Sequence, residues 1–209
     1  MAKRPAWSIR NNRVICKEFD FKWNSGFAIT QKQKNIENLH NSIIKETNES
    51  VLEVSSKGLI PLGKNIGAFC LKYNEIPLEN IFQSSKKFEH GGPYNDLMLV
   101  TPKEAKKDER IRNSGKIVIF CLDGEEWPLE PKTLFYDYIY IKALVQNYGL
   151  DLDLSKYDWF TDIEFNPRKS INCQARSVTI YKLLKINNNF EVLDTKIKWI
   201  EFHKEYING

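Results

Sequence analysis

None of the four cysteines, Cys16, Cys70, Cys121 and Cys173, belongs to a Cys-x-x-Cys pair, and only three histidines, His40, His90 and His203, stand ready to join them. A structural zinc needs four closely spaced ligands, so no metal is expected and the thiols read as free and buried. Generic catalytic signatures are missing too. The chain carries no P-loop, no Rossmann glycine fingerprint, no metalloprotease helix and no nucleophile elbow, which removes the common motif-bearing enzymes and their cofactors. Its first residues, Met1 to Trp7, lack the apolar stretch of a signal peptide, and no later run is long enough to span a bilayer. A cytoplasmic protein without membrane contact is expected.

What the chain does have is apolar substance. A hydrophobic fraction of 42%, with 12% aromatic, over 209 residues supplies one full core and excludes a disordered chain. The expectation is one domain over residues 1–209. The net charge of +4 is dispersed among acidic neighbours, so it reads either as an ordinary solvated surface or as a weak preference for nucleic acid.

Periodicity places the elements. Residues 13–23 alternate through Val14, Ile15, Phe19, Phe21 and Trp23, as a strand does before the Asn24-Ser25-Gly26 turn. Thr30 is positioned as a cap for a helix whose apolar face is Ile36, Leu39, Ile43 and Ile44. Val51–Val54 reads as a short strand, followed by a loop through Pro61, Gly63 and Gly67. The unbroken run from Leu78 to Phe88 predicts a helix that stops at Gly91-Gly92-Pro93. Thr101-Pro102-Lys103-Glu104 has the residues of a capping box with proline at the first helical position. Lys116–Leu122 suits a buried strand. Glu130-Pro131 opens a helix with Leu134, Phe135, Tyr138, Ile141, Leu144 and Val145 on its apolar face, ending at Gly149. Ser177–Lys185 fits a strand or a buried helix equally, and residues 195–206 suit an amphipathic helix. The fold class is α+β, helix-dominated, with a few short strands.

Three polar-dense segments interrupt this apolar plan. In the first, Glu79, Gln83 and Lys86 lie at i, i+4 and i+7 and so line one side of a helix, either as a solvated edge or as a row entering a cleft. A lysine there is a cation for phosphate or, once desolvated, an amine nucleophile. In the second, Trp127 sits before Pro128 among acids, as an aromatic face for stacking or as a lid closing over the core. The third, Thr161 to Arg176, interleaves acids, bases and amides with turn residues, the composition of a binding loop or of capping and surface pairs.

These segments carry a family resemblance. Glu79-Asn80-Ile81-Phe82-Gln83-Ser84-Ser85-Lys86 is similar to the Glu-His-x-x-Gln-x-x-Lys helix of the NADAR (YbiA-like) family, with Asn80 in the histidine position. The strings Phe88 to Leu97, Glu126 to Thr133 and Phe160 to Arg176 resemble its branch of antitoxins associated with guanine-modifying DarT-type toxins; Asp162 keeps the family's acid, and Phe165 takes the place of a tryptophan. The resemblance implies a single NADAR-type domain that hydrolyses ADP-ribose from guanine in DNA or RNA, releasing ADP-ribose and opposing a DarT-type toxin. Other members are linked to N-glycoside cleavage of phosphoribosylated riboflavin-pathway intermediates, and a module that binds ADP-ribose without turnover is the non-enzymatic alternative. On the hydrolase reading, Glu79 and Asp162 flank the anomeric carbon, one stabilising positive charge and one handling a proton or water. Lys86 binds the diphosphate or attacks that carbon. Trp127 and Tyr94 stack on a base, Gln83 and Asn172 hold ribose hydroxyls, and Lys169 or Arg176 holds phosphate, with Ser84, Gly91 and Gly92 completing the binding set.

Overall fold

The computed structural model describes residues 1–147 and 154–207. Its largest sheet has four strands in the order β2 (Arg13–Phe21), β1 (Ala2–Arg10), β9 (Trp159–Thr161) and β3 (Val51–Glu53). β1 pairs antiparallel with β2 and β9, whereas β3 and β9 run parallel. Neighbouring strand residues face opposite ways, and here that alternation separates two cores. Ala6, Val51 and Trp159 join Ile36, Leu39 and Ile43 of helix α1 (Ile29–Thr47) on one face. Trp7, Leu52 and Phe160 join α6 (Leu134–Gln146) and α7 (Gln174–Ile186) on the other. The result is an α+β arrangement with helices on both faces of a small mixed sheet.

A second sheet is antiparallel, in the order β6 (Lys86–Phe88), β7 (Ile117–Leu122), β8 (Glu125–Trp127). A two-stranded ribbon, β4 (Lys72–Tyr73) and β5 (Ile76–Pro77), leads directly into α3 (Leu78–Ser84). Three short helices complete this part of the chain: α2 (Pro61–Asn65), which packs against β3, α4 (Pro102–Lys107), which packs against α3, and α5 (Glu109–Asn113). α8 (Lys196–Phe202) continues into a π-helical turn at residues 203–207. Among the described residues no helix is long and apolar enough to cross a membrane.

Several sequence expectations are corrected. Thr30 lies inside α1, whose N-cap is Ala28 with no side-chain cap. The helix expected through Phe88 ends at Ser84, because residues 86–88 find backbone partners on β7. Tertiary pairing therefore overrides the helical spacing of Ser85 and Phe88. Ser177–Lys185, open in the sequence between a strand and a buried helix, is resolved as part of helix α7. The α6 helix starts at Leu134, four residues after Glu130, and its expected stop at Gly149 lies outside the described residues. Tyr136, Asp137, Ile139 and Tyr140 are buried as well as the expected stripe, while Val145 is exposed. Contacts with α3, β4 and α7 cover α6 on several sides, so it is not amphipathic. The Thr101–Glu104 capping box is present as read, with Thr101 Oγ1 accepting from the Glu104 N–H at 3.3 Å and Glu104 Oε2 accepting from the Thr101 N–H at 2.9 Å.

Candidate functional site

The parallel pair β3–β9 ends in two acids. Glu53 is the last residue of β3, and Asp162 follows β9. Opposite them, α3 presents Glu79 and Gln83, and the first residue of β6 presents Lys86. These groups, apart from Glu53, line one cavity of about 420 Å³, together with Asn172 and Lys169 from the loop before α7. That volume is in the range of small-ligand pockets, about 300–1,000 Å³.

The chain from Glu79 to Lys86 is tied together by side chains. Gln83 Nε2 donates to Glu79 Oε1 at 2.9 Å, and Lys86 Nζ donates to Gln83 Oε1 at 2.6 Å. Lys86 lies on a strand rather than on the helix, yet its amine returns to the helix side it was expected to share. Gly92 makes that placement possible: its φ is +77°, and a Cβ there would lie 2.4 Å from the Lys86 carbonyl oxygen. The Lys86 amine sits 4.4 Å from the Phe82 ring centroid. Burial pushes it down to about 8; Glu79 opposes that fall and Lys106 adds to it. About a tenth of the amine is then neutral at pH 7, the state a lysine needs to act as a nucleophile.

Asp162 is held differently. Its Oδ1 accepts the backbone N–H groups of Glu164 and Phe165 at 3.0 and 3.2 Å, and its Oδ2 accepts from Gln174 Nε2 at 3.2 Å. Burial, then the neighbouring Glu53, pushes its carboxyl up to about 7. With Oδ1 engaged twice, the proton belongs on Oδ2. Glu53 is itself raised, first by burial, although Ser55, Thr161 and the Ile163 N–H all donate to it. A buried proton donor and a buried amine thus face one space. Asn172 adds a buried Oδ1 with no hydrogen-bond partner among the described residues, an acceptor suited to a sugar hydroxyl.

The remaining expected site residues lie elsewhere. Trp127 is 1% exposed and packs on Tyr138 and Phe135, with ring centroids 4.3 and 5.8 Å away. It closes over the core and offers no free face. Tyr94 is bound through its hydroxyl to Ser114 at 2.5 Å, with Arg110 4.5 Å from its ring centroid, outside the cavity. The Ser84 hydroxyl donates to the Ile81 carbonyl within its own helix. Gly91 and Gly92 shape the turn behind Lys86 without lining the cavity.

Arg176 is also turned inward. It bonds Asp137 and Thr133, and Asp137 additionally accepts from Ser177 and contacts His203 at 3.0 Å. Burial alone would raise Asp137, but Arg176 and His203 bring its carboxyl below the ordinary range. Removing one partner of a buried ion pair leaves the other uncompensated, which costs about 3–5 kcal/mol. Arg176→Ala is therefore expected to lower the melting temperature by roughly 10 °C, read by calorimetry; an unchanged melt with weakened ligand binding would return Arg176 to the phosphate role.

Four groups in or behind this cavity carry no functional signal in the sequence. Glu53 looks like one polar position in a β-branched run. Tyr136 reads as part of a core helix. Lys106, whose Nζ is 3.7 Å from Glu79 Oε1, belongs to the short α4. Phe69, 42% exposed at the cavity wall, supplies an accessible aromatic ring that Trp127 does not, with the Lys106 amine 5.3 Å from its centroid; its place in a turn segment gives no periodic signal.

A second cavity of similar volume lies across β3, lined by Ile36, His40, Glu53, Leu59 and Ile60 among others. Burial pushes His40 down to about 4, and its Nε2 is 2.9 Å from Thr161 Oγ1. It lacks the paired amine and acid of the first cavity. Among the described residues no group of three or more His, Cys, Asp or Glu side chains gathers to hold a metal ion. No curated protein matches the chain. A family model described as the DarT1-associated NADAR antitoxin matches residues 2–208, so the chain belongs to that antitoxin family, which implies a DarT-type toxin as its counterpart.

Proposed function

We propose that this cavity hydrolyses the N-glycosidic bond between the anomeric carbon of an ADP-ribosyl group and guanine in nucleic acid, undoing the modification made by the toxin. The observation that carries the reading is the pairing of a desolvated amine, Lys86, with a buried acid, Asp162, across one pocket. Cleavage needs a proton for the departing guanine nitrogen and electron density for the anomeric carbon.

In this mechanism Asp162 Oδ2 gives its proton to the guanine nitrogen as the carbon–nitrogen bond breaks. Glu79 faces the positive charge that develops on the sugar. The neutral Lys86 Nζ bonds to the anomeric carbon, and one of its two protons passes to the ring oxygen as the bond between that oxygen and the carbon breaks, which leaves a protonated imine and a free sugar hydroxyl. Water then adds to the imine carbon and gives one proton to Asp162; the proton of the new hydroxyl passes to Lys86 Nζ as the carbon–nitrogen bond breaks, which frees open-chain ADP-ribose and the neutral amine. Gln83 orients the amine through its 2.6 Å bond, Asn172 accepts from a ribose hydroxyl, Phe69 stacks on a base, and Lys169 at the rim meets phosphate.

The test compares an oligonucleotide bearing ADP-ribosylated guanine with a free phosphoribosylated pyrimidine amine, for wild type and Glu79→Gln. Wild type should act on the oligonucleotide, and Glu79→Gln should retain ligand while turning over about 10²-fold more slowly. Turnover of the free nucleotide alone would make the protein a metabolic glycosidase. Binding of ADP-ribose with no turnover by wild type would make it a binding module.

A further inference from the structure

Beside the candidate site, and sharing Phe69 and Lys106 with it, a smaller cavity of about 200 Å³ is lined by Lys57 and Lys64. It is below the range of pockets that enclose a whole ligand and is the scale of a single charged group. Three cationic side chains border it against one carboxylate, Glu164, which Lys32 already engages at 3.0 Å. Lys106 is occupied by Glu79. Lys57 and Lys64 are half-buried, and neither has an ion-pair partner within 4 Å among the described residues.

Their placement is built into the fold. Lys57 is fixed by its backbone N–H, which donates to Ser55 Oγ at 3.2 Å, and Ser55 in turn donates to Glu53. Lys64 is carried by α2, which approaches β3 so closely that a Cβ at Gly63 would lie 1.9 Å from the Glu53 carbonyl oxygen. Two half-buried cations whose backbones are fixed beside one cavity are stabilised when an anion occupies it.

We infer that this cavity is a phosphate subsite, contiguous with the hydrolytic one, that takes a phosphate ester of the substrate through Lys57 and Lys64. The inference rests on the function proposed above for its choice of substrate. Two sources supply the same chemistry: the diphosphate of the ADP-ribosyl group and a backbone phosphodiester beside the modified guanine.

Lys57→Ala/Lys64→Ala and Lys57→Arg/Lys64→Arg are compared with wild type, using inorganic pyrophosphate as the calorimetric probe and thermal melts to check folding. Kinetics use ADP-ribosylated guanosine and the corresponding oligonucleotide. The alanine pair should weaken pyrophosphate binding about tenfold or more, and the arginine pair should retain it. A rise in KM for both substrates assigns the diphosphate; a rise for the oligonucleotide alone, with a shallower salt dependence, assigns the backbone. A folded alanine pair with unchanged pyrophosphate affinity and unchanged KM would overturn the subsite. If wild type turns over neither substrate, the proposed hydrolase fails, and the pyrophosphate titration still decides the subsite.

Discussion

Lys86→Ala is expected to lower kcat for ADP-ribose release by about 10³-fold or more, with a smaller change in KM. The amine is the attacking group in the proposed route, so its loss removes a covalent step instead of a binding contact. Borohydride added during turnover should reduce the imine and leave a stable ADP-ribosyl adduct on Lys86, readable by peptide mass spectrometry. A variant whose KM rises while kcat holds, with no adduct on wild type, would assign Lys86 to holding diphosphate as a cation.

Asp162→Asn carries the second large effect, and it acts in opposite directions on rate and stability. Without a proton for the departing guanine, kcat should fall by about 10²–10⁴-fold. In wild type the productive form holds Asp162 protonated and Lys86 neutral, with the two groups near 7 and 8. The rate should therefore follow a bell between those values, and at its centre only about one molecule in twenty carries both required states. The stability sign follows from the raised carboxyl. Asp162 favours the fold while protonated, a contribution intact below its ordinary value of 3.8 and lost as pH rises through about 7. Above that point the fold buries a charge that asparagine lacks. Asp162→Asn should thus melt at least about 3 °C above wild type at pH 8 and show no such gain at pH 5. A lower melting point at pH 8 would mean that its bonds to Glu164, Phe165 and Gln174 outweigh the buried charge.

The parts of the site legible in the sequence were those whose members are neighbours in the chain. Glu79, Gln83 and Lys86 lie within eight residues, and their spacing brings them together even though Lys86 belongs to a strand. Asp162, Lys169 and Asn172 share one polar stretch whose density set it apart. The misplacements come from partners far away in sequence. Arg176 looks available for phosphate until Asp137, 39 residues upstream, is brought against it. Trp127 looks like a loop aromatic until Phe135 and Tyr138 pack against it and bury it. Glu53 gains its meaning only because β3 runs parallel to β9, which puts its carboxyl beside Asp162. Strand β1 leaves little trace in the sequence: Pro5 and the flanking basic residues hide the alternation of Ala6 and Trp7 across the central sheet.

Mass analysis of the strand after a single turnover most directly tests the central claim. An oligonucleotide with one ADP-ribosylated guanine is incubated with excess wild-type protein, and strand and small-molecule product are weighed together. Cleavage at the bond proposed here returns an intact strand with unmodified guanine and one equivalent of free ADP-ribose. An abasic strand, a strand still bearing ribose phosphate, or an unchanged strand at high protein concentration would contradict it.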